Sequence, residues 1–367
     1  MKKIYINARF LTQTITGVQR YAIELVKSLD ALMDKGEVNI NHYSFVLLAP
    51  RNIKNELHLK WIPLKYVGCL KGHLWEQLEL PLYAHNGLLV NLCNVGPLLV
   101  RNQVLTIHDV FSIEYPHWVG RNFHHWYSFL LPRLAQRVRK ILTVSEYSKR
   151  RIVEVLGVPS QKVQVVYNGI DNDFKPVDAK ALQAVRQKYD LPDKFILTLG
   201  SLEPRKNLDG LVKAWLMMPV EYRKPLVIAG GLGARQVFGK YEIEFIKEKG
   251  LKLLGYVSDE DLPALYATAE VFVYVPFVEG FGLPPVEALA CGARVVTSNT
   301  SAMLETCQGL AVLVNPTDIE SISRGIVEAL QTRLSLNEKL SQSEKIKKRF
   351  NWMHTAQQVQ EVLERYI

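Results

Sequence analysis

Short apolar runs alternate along this chain with stretches whose apolar residues recur every three or four positions. Residues 4–8 read as a buried strand, and behind them Val18, Tyr21, Ala22, Leu25, Val26 and Leu29 fall at helical spacing. The first half offers further strands at 44–49, 88–93, 104–108, 141–144 and 163–166, with helical patterns over 123–138 and 147–156. The second half repeats the scheme, with strands at 195–199, 226–229, 251–254, 271–275, 294–297 and 311–314. Its helices are expected at 208–217, 236–249, 259–269, 286–290 and 319–332. Such alternation predicts an α/β protein with parallel sheets covered by helices on both faces. The turn dipeptide Asn168-Gly169 and the polar stretch to Pro176 mark the join. The expected organisation is therefore two doubly wound domains facing a central cleft, over 1–172 and 173–350. An amphipathic tail helix, 351–367, is expected to pack back on the first domain. Ligands of such sheets bind outside the carboxyl ends of the strands.

A length of 367 residues fits two domains, and 48% apolar with 22% charged residues is ordinary for a folded chain. The net charge of +9 is unevenly spread. Residues 1–170 hold 21 Lys and Arg against 11 Asp and Glu, whereas residues 171–367 hold 24 against 25. A basic first half raises nucleic acid as a partner, but no binding motif for it appears and the second half is neutral. Cys69, Cys93, Cys291 and Cys307 form no CxxC pair and read as buried, reduced thiols of a cytoplasmic protein. Arg9 interrupts the opening MKKIYINARF short of a signal-peptide core, and no run of about 18 apolar residues would span a bilayer.

Four clusters fall at expected strand ends. Thr16-Gly17 opens the first helix, where a glycine permits close backbone approach to a phosphate or sugar; an ordinary helix-start turn is the alternative. His108-Asp109 follows the 104–108 run, so that the imidazole could meet a ligand hydroxyl and Asp109 could fix its tautomer. Gly200-Ser201-Leu202-Glu203-Pro204-Arg205-Lys206-Asn207 sets two cations between a strand and a helix, as a diphosphate clamp requires, or else is a solvated basic turn. Finally, Glu279-Gly280-Phe281-Gly282-Leu283-Pro284-Pro285-Val286-Glu287 flanks a glycine-rich turn with two carboxylates, Glu287 on the first turn of a helix. The D-x-D patterns at 171–173 and 259–261 read as linker and helix-start acids, and His124-His125 as helix-surface residues, so no metal site is expected.

These stretches together resemble the family 4 glycosyltransferases, retaining enzymes of the GT-B fold with two Rossmann-like domains, over nearly the whole chain. The matching segments are TGVQRYA, HDVF, LTVSEYSKRRI, VVYNGID, LTLGSLEPRKNLDGLVKAW, GYVSDEDLPALYATAEVFVYVPFVEGFGLPPVEALACGARVVTSN and the final helix. The wording of the last long segment is similar to bacterial enzymes that build O-antigen or capsule, including mannosyl- and N-acetylgalactosaminyltransferases. The resemblance implies transfer of a hexose or N-acetylhexosamine from a UDP- or GDP-linked donor to a saccharide acceptor, without metal or cofactor, the first domain (1–172) binding the acceptor and the second (173–350) the nucleotide sugar. It also assigns roles. Gly17 would approach the donor, His108 would touch the transferred sugar, and Arg205 and Lys206 would hold the diphosphate beside Ser201. Glu279 would bind sugar hydroxyls and Glu287 the ribose. Backbone amides of Phe281, Gly282 and Leu283 would meet sugar and phosphate, with Tyr256 or Val257 near the base. A sugar phosphorylase or nucleotide-sugar epimerase of the same fold, or a silent nucleotide-sugar-binding module, is the alternative.

The basic excess of the first half sits beside aromatic residues. Trp118, Phe123, Trp126, Tyr127 and Phe129 accompany Arg133, Arg137, Arg139, Lys140, Lys149, Arg150 and Arg151, and a second apolar-basic stretch over 64–83 holds Lys65, Lys71 and Trp75. Aromatics beside cations suit the headgroup layer of an anionic membrane. The enzyme would then dock peripherally on the cytoplasmic leaflet and glycosylate a polyprenyl-diphosphate-linked acceptor. The opposing reading makes the aromatics core and the cations a solvated face.

Overall fold

Strands whose residues are apolar on both faces need cover from helices on both sides, and this chain builds two sheets of that kind. The computed structural model describes residues 1–200, 203–230 and 250–367. The helix expected over 236–249 and the site residue Ser201 lie outside the described residues. The chain divides into two compact units, Met1–Gly169 with Phe350–Ile367, and Ile170–Arg349.

In the first unit, β1 (Lys2–Asn7), β2 (Tyr43–Ala49), β3 (Leu64–Tyr66), β4 (Leu88–Asn91), β5 (Gln103–Thr106), β6 (Lys140–Thr143) and β7 (Val163–Val165) form one parallel sheet. Their order is β3-β2-β1-β4-β5-β6-β7, with Ile4 opposite both Phe45 and Leu88. The helix Trp352–Tyr366 lies against Gly17–Asp34, burying Ala356, Val359 and Leu363, and Asn351 caps it by accepting from the Met353 and His354 N–H groups.

The second unit repeats the architecture with β8 (Ile196–Leu199), β9 (Leu226–Ala229), β10 (Leu251–Gly255), β11 (Val271–Tyr274), β12 (Val295–Ser298) and β13 (Val312–Val314). Among the described residues these run parallel in the order β10-β9-β8-β11-β12-β13. Trp215, Val273, Val296, Ile322 and Ile326 share its core. The strand order therefore reverses once in each sheet, between β1 and β4 and between β8 and β11. Such switch points open a crevice at the carboxyl edge.

Several elements depart from the sequence reading. β3 was not expected, because three half-exposed residues carry no period. Helices Ala179–Lys188, Ser301–Cys307 and Leu336–Arg349 were also absent from it; half of the last helix's residues are charged, and it turns only Gln342, Ser343 and Ile346 inward. Residues 72–84 are one helical run interrupted by a π turn, Trp75–Glu79. Trp75, read with the surface stretch, is instead fully buried and its indole donates to the Val67 carbonyl at 2.7 Å. Nor are the cysteines uniformly buried: Cys69 is exposed, its N–H donating to Glu79 at 3.0 Å.

Candidate functional site

At the switch point of the second sheet, two turns are fastened to each other. After β8 the chain makes a tight turn, Pro204–Lys206, and reaches Asn207 in the left-handed region at φ 57°. Asparagine tolerates that conformation, and here its amide donates to the Val275 carbonyl at 3.1 Å and the Pro316 carbonyl at 2.7 Å. The Phe277 N–H donates in turn to the Arg205 carbonyl at 2.8 Å. These bonds hold the segment after β8 against the segment after β11, so that Arg205 meets Glu279.

The Arg205 guanidinium lies 2.8 Å from Glu279 and 2.6 Å from Glu203. The Tyr274 hydroxyl, on the last residue of β11, donates to the same Glu279 oxygen as Arg205. Lys206 places its ammonium 5.8 Å from the Tyr274 ring centroid. Burial alone would raise the Glu279 pKa, yet Arg205, Lys206 and the Tyr274 hydroxyl outweigh it and hold the carboxyl below its ordinary range. Burial pushes the Lys206 pKa down, with Glu279 opposing, and burial and Glu279 together keep the Tyr274 phenol protonated. Arg205, one of the two cations of the expected diphosphate clamp, is thus shared by two carboxylates.

Beyond Glu279 the turn tightens. Gly282 has φ 83°, and a β-carbon there would overlap the Met303 side chain, so both backbone and packing demand glycine. The helix that follows is Leu283–Ala290, begun by Pro284 and Pro285, which supply the fixed φ and forgo the N–H groups that first helical positions leave unused. Glu287 consequently sits on its second turn rather than its first, buried and accepting from the Tyr266 hydroxyl at 3.1 Å. Phe281 is buried, and Ser301 accepts from the Glu279 N–H at 3.3 Å while itself in the left-handed region at φ 54°. Strain in a non-glycine residue is commonly stored beside functional groups. Tyr256 and Val257 follow β10, separated from β8 by β9; Tyr256 is exposed and Val257 buried.

In the first unit, Gly17 begins the helix Gly17–Asp34 behind a capping box in which the Thr16 N–H donates to Gln19 at 3.1 Å. A β-carbon on Gly17 would meet no atom of the chain within 4 Å, and its φ is not positive, so neither packing nor conformation requires glycine. His108 lies two residues past β5, buried, with Tyr21 edge-on at 4.7 Å. Its Nε2 hydrogen goes to the Leu92 carbonyl at 2.9 Å, so Leu92 rather than Asp109 fixes the tautomer. Burial lowers its pKa to about 4, leaving a neutral ring.

Trp118 and Trp126 are half-buried, Trp118 stacked on Tyr115 at 4.3 Å. Arg133, Arg137 and Arg139 are exposed, as are Phe123 and Phe129. Asp261 accepts from Tyr189 at 2.7 Å and Ser258 at 2.6 Å, a helix-start tie. Sequence reasoning missed Tyr274 and Ser301, and gave Asn207 no role of its own within the 200–207 cluster. The end-of-strand position of Tyr274, five residues before Glu279, was the available signal.

Two parallel-sheet domains with an arginine, a lysine and a glutamate at a switch point define the class, and comparison with known proteins agrees. A family model described as "Glycosyl transferases group 1" matches residues 182–349, and one described as "Glycosyltransferase Family 4" matches 83–174. The O-antigen chain mannosyltransferase B of Escherichia coli is 30% identical over 349 residues, covering 90% of this chain and 91% of that protein. The O-antigen chain mannosyltransferase RfbU of Salmonella typhimurium is 25% identical over 348 residues, covering 90% and 92%. In fold, the Anabaena protein HepE, solved with UDP and glucose, superposes with a TM-score of 0.72 at 18% identity over 99% of both chains. This chain belongs to family 4 of the glycosyltransferases and has the GT-B fold. Among the described residues, no helix is long and apolar enough to cross a membrane.

Proposed function

We propose that the chain is a retaining mannosyltransferase that moves mannose from GDP-mannose to a saccharide acceptor in the synthesis of an O-antigen-type polysaccharide. The names of the relatives support the sugar and the pathway class; among donors of the family, GDP carries mannose. The observation that carries the chemistry is the cluster of Arg205, Lys206, Glu279 and Tyr274 beside the N-terminus of Leu283–Ala290. Breaking a glycosyl–phosphate bond builds negative charge on the departing diphosphate, and preorganised cations and a helix N-terminus stabilise it. Glu279 is engaged by Arg205 and Tyr274, which suits recognition of sugar hydroxyls and not attack on the anomeric carbon. A departing phosphate oxygen then takes the acceptor's proton, giving retention.

Glu287 is assigned the ribose, with Tyr256 near the base, and Gly17 and His108 the donor phosphate and sugar. The assay is incubation of the purified protein with GDP-mannose, UDP-glucose and UDP-N-acetylglucosamine, each with a mannosyl oligosaccharide, and NMR of the product's anomeric centre. Retained configuration with GDP-mannose supports the reading; an inverted product, or turnover of UDP donors alone, sinks it.

Membrane docking belongs to the same reading. Leu74, Leu78 and Leu82 lie exposed along residues 72–84, and Phe123 and Phe129 are exposed near Arg133, whose guanidinium is 3.9 Å from the Phe129 ring centroid. An apolar stripe beside cations fits an anionic leaflet bearing a polyprenyl-linked acceptor. Salt-insensitive binding to anionic vesicles, unaltered by charge reversal at Arg137 and Arg139, would count against it.

A further inference from the structure

None of the roles above uses Glu203, although its carboxylate shares Arg205 with Glu279. The Arg205 Nε group donates to Glu203 at 2.6 Å, while Nη1 of the same guanidinium lies 2.8 Å from Glu279. Lys206 feels both carboxylates, which oppose the burial that pushes its pKa down. Two cations thus stand against two carboxylates, and the four side chains sum to zero charge. A diphosphate brings further negative charge into this crevice, where like charges repel more strongly than in water. For it to take hold of the Arg205 guanidinium, one carboxylate has to withdraw.

The two carboxylates are held very differently. Glu279 keeps 14% of its side chain exposed and shares one oxygen between Arg205 and the Tyr274 hydroxyl. Its backbone is fixed as well, the N–H donating to Ser301 Oγ at 3.3 Å and the carbonyl accepting from the Ala302 N–H at 3.3 Å. Just ahead of it, the fully buried Thr297 and Ser298 hydroxyls donate to the Tyr274 and Pro276 carbonyls at 2.7 and 2.6 Å. Glu203, by contrast, has a side chain 44% exposed and an extended backbone, φ −75° and ψ 139°, before the single turn Pro204–Lys206. Its carbonyl accepts from the Lys206 N–H at 2.9 Å, which fixes its backbone to that turn. Side-chain rotation alone can therefore carry its carboxylate into water while Arg205 stays in place. A partly exposed ion pair is weak, so this separation costs little.

We propose that Glu203 is a displaceable counter-ion of the donor clamp. It holds the Nε side of Arg205 between turnovers, swings out to solvent when a nucleoside diphosphate takes that side, and returns as the product leaves. Carboxylate and phosphate oxygens accept from the same planar N–H donors, so the two compete directly for Arg205. Glu203 touches no reacting atom and is a positioning residue. The competition weakens donor and product binding alike, and so shortens the stay of the nucleoside diphosphate after transfer. The inference rests on the reading of Arg205 and Lys206 as the diphosphate clamp.

Calorimetry of GDP, UDP and pyrophosphate binding to the full chain tests it. Glu203→Gln, which keeps the shape and removes the charge, should tighten pyrophosphate and the preferred nucleoside diphosphate roughly 5- to 20-fold. Glu203→Asp, which keeps the charge, should stay within about threefold of wild type. The KM for the sugar donor should fall in Glu203→Gln, a gain that damage to the fold would not produce, and thermal melts check folding. Crystals grown with and without the diphosphate should show the carboxylate leaving Arg205 on binding. Equal or weaker binding by Glu203→Gln, tightening matched by Glu203→Asp, or a complex in which Glu203 still bonds Arg205 would overturn the counter-ion and leave the donor clamp standing. UDP bound in place of GDP, with the same pattern among the variants, would instead remove GDP-mannose as the donor and keep the counter-ion. A wild type that binds none of the three probes would overturn both.

Discussion

Each sheet reverses its strand order once, and at each reversal an arginine meets a glutamate, yet the two pairs are built differently. Arg205 and Glu279 come from the turns after the two strands that flank the reversal, and their side chains keep 13% and 14% exposure. Arg9 also follows a strand, but Glu76 reaches it from a π turn, and the side chains are 9% and 1% exposed. The second unit's pair is further joined by Glu203, Lys206 and Tyr274, so charge can be redistributed when an anionic ligand arrives. The first unit's pair is closed in by neutral amides, Asn7 and beyond it Asn91 and Gln103, bonded in series at 2.9 and 2.8 Å. One pair is arranged to respond to charge, the other to stay fixed.

The sharpest way to break that contrast is to remove one member of each pair. Arg9→Met should cost the first unit about 3–5 kcal/mol, because it strands a buried carboxylate, while Arg9→Met with Glu76→Leu should recover most of the loss. Denaturant melts of the single and double variants check this; a single variant as stable as wild type would mean the pair is not buried as described. Arg205→Ala should behave in the opposite sense. Its stability loss should be the smaller, but turnover should fall by roughly 10²–10³, the range for removing a donor that stabilises developing charge. Normal kinetics in that variant would detach the Arg205–Glu279 pair from the chemistry.

The same contrast explains what could be read in advance. EPRKN and the Glu279–Glu287 turn were legible because each lies directly after a strand with apolar residues on both faces, and strand ends are where ligands bind. The parallel sheets were legible for the same reason. Glu76 was not, because 67 residues separate it from Arg9 and the π turn that aims it has no sequence period. The charge compensation of Arg205 escaped too: Glu203 was in view, but that Glu279, itself bound by Tyr274, reaches Arg205 depends on how Asn207 bonds Val275 and Pro316. Trp75 was misread because an indole among lysines looks superficial until its helix is seen against the sheet.

Two glycines sharpen the comparison at a smaller scale. Gly282→Ala should lose about 2–4 kcal/mol, combining the left-handed backbone cost with overlap of Met303. Gly17→Ala should leave stability unchanged or raise it by up to about 1 kcal/mol, since the backbone tolerates alanine and the space is open. If a donor approaches Gly17, the second variant nonetheless loses activity. A stable, fully active Gly17→Ala would make that glycine an ordinary helix start.

Acid should separate the units through His108. Its folded pKa of about 4 lies below the unfolded value near 6.5, so between those values the unfolded chain binds a proton that the folded chain refuses. Stability of the first unit therefore falls as pH drops through that window, by about 2 kcal/mol at pH 5 relative to neutral. Glu279 adds acid sensitivity of the same sign, but in a lower pH window. Its folded pKa is depressed below 4.5, so its contribution is intact above the unfolded carboxyl pKa and is lost only as pH falls through its lower folded value. Hydrogen exchange followed by mass spectrometry at pH 7 and pH 5, corrected for intrinsic rates, should show β5 and its neighbours losing protection while β11 and β12 keep theirs. His108→Gln should flatten the difference. Equal loss in both units, or a pH dependence that survives the substitution, would mean that the buried imidazole is not what sets them apart.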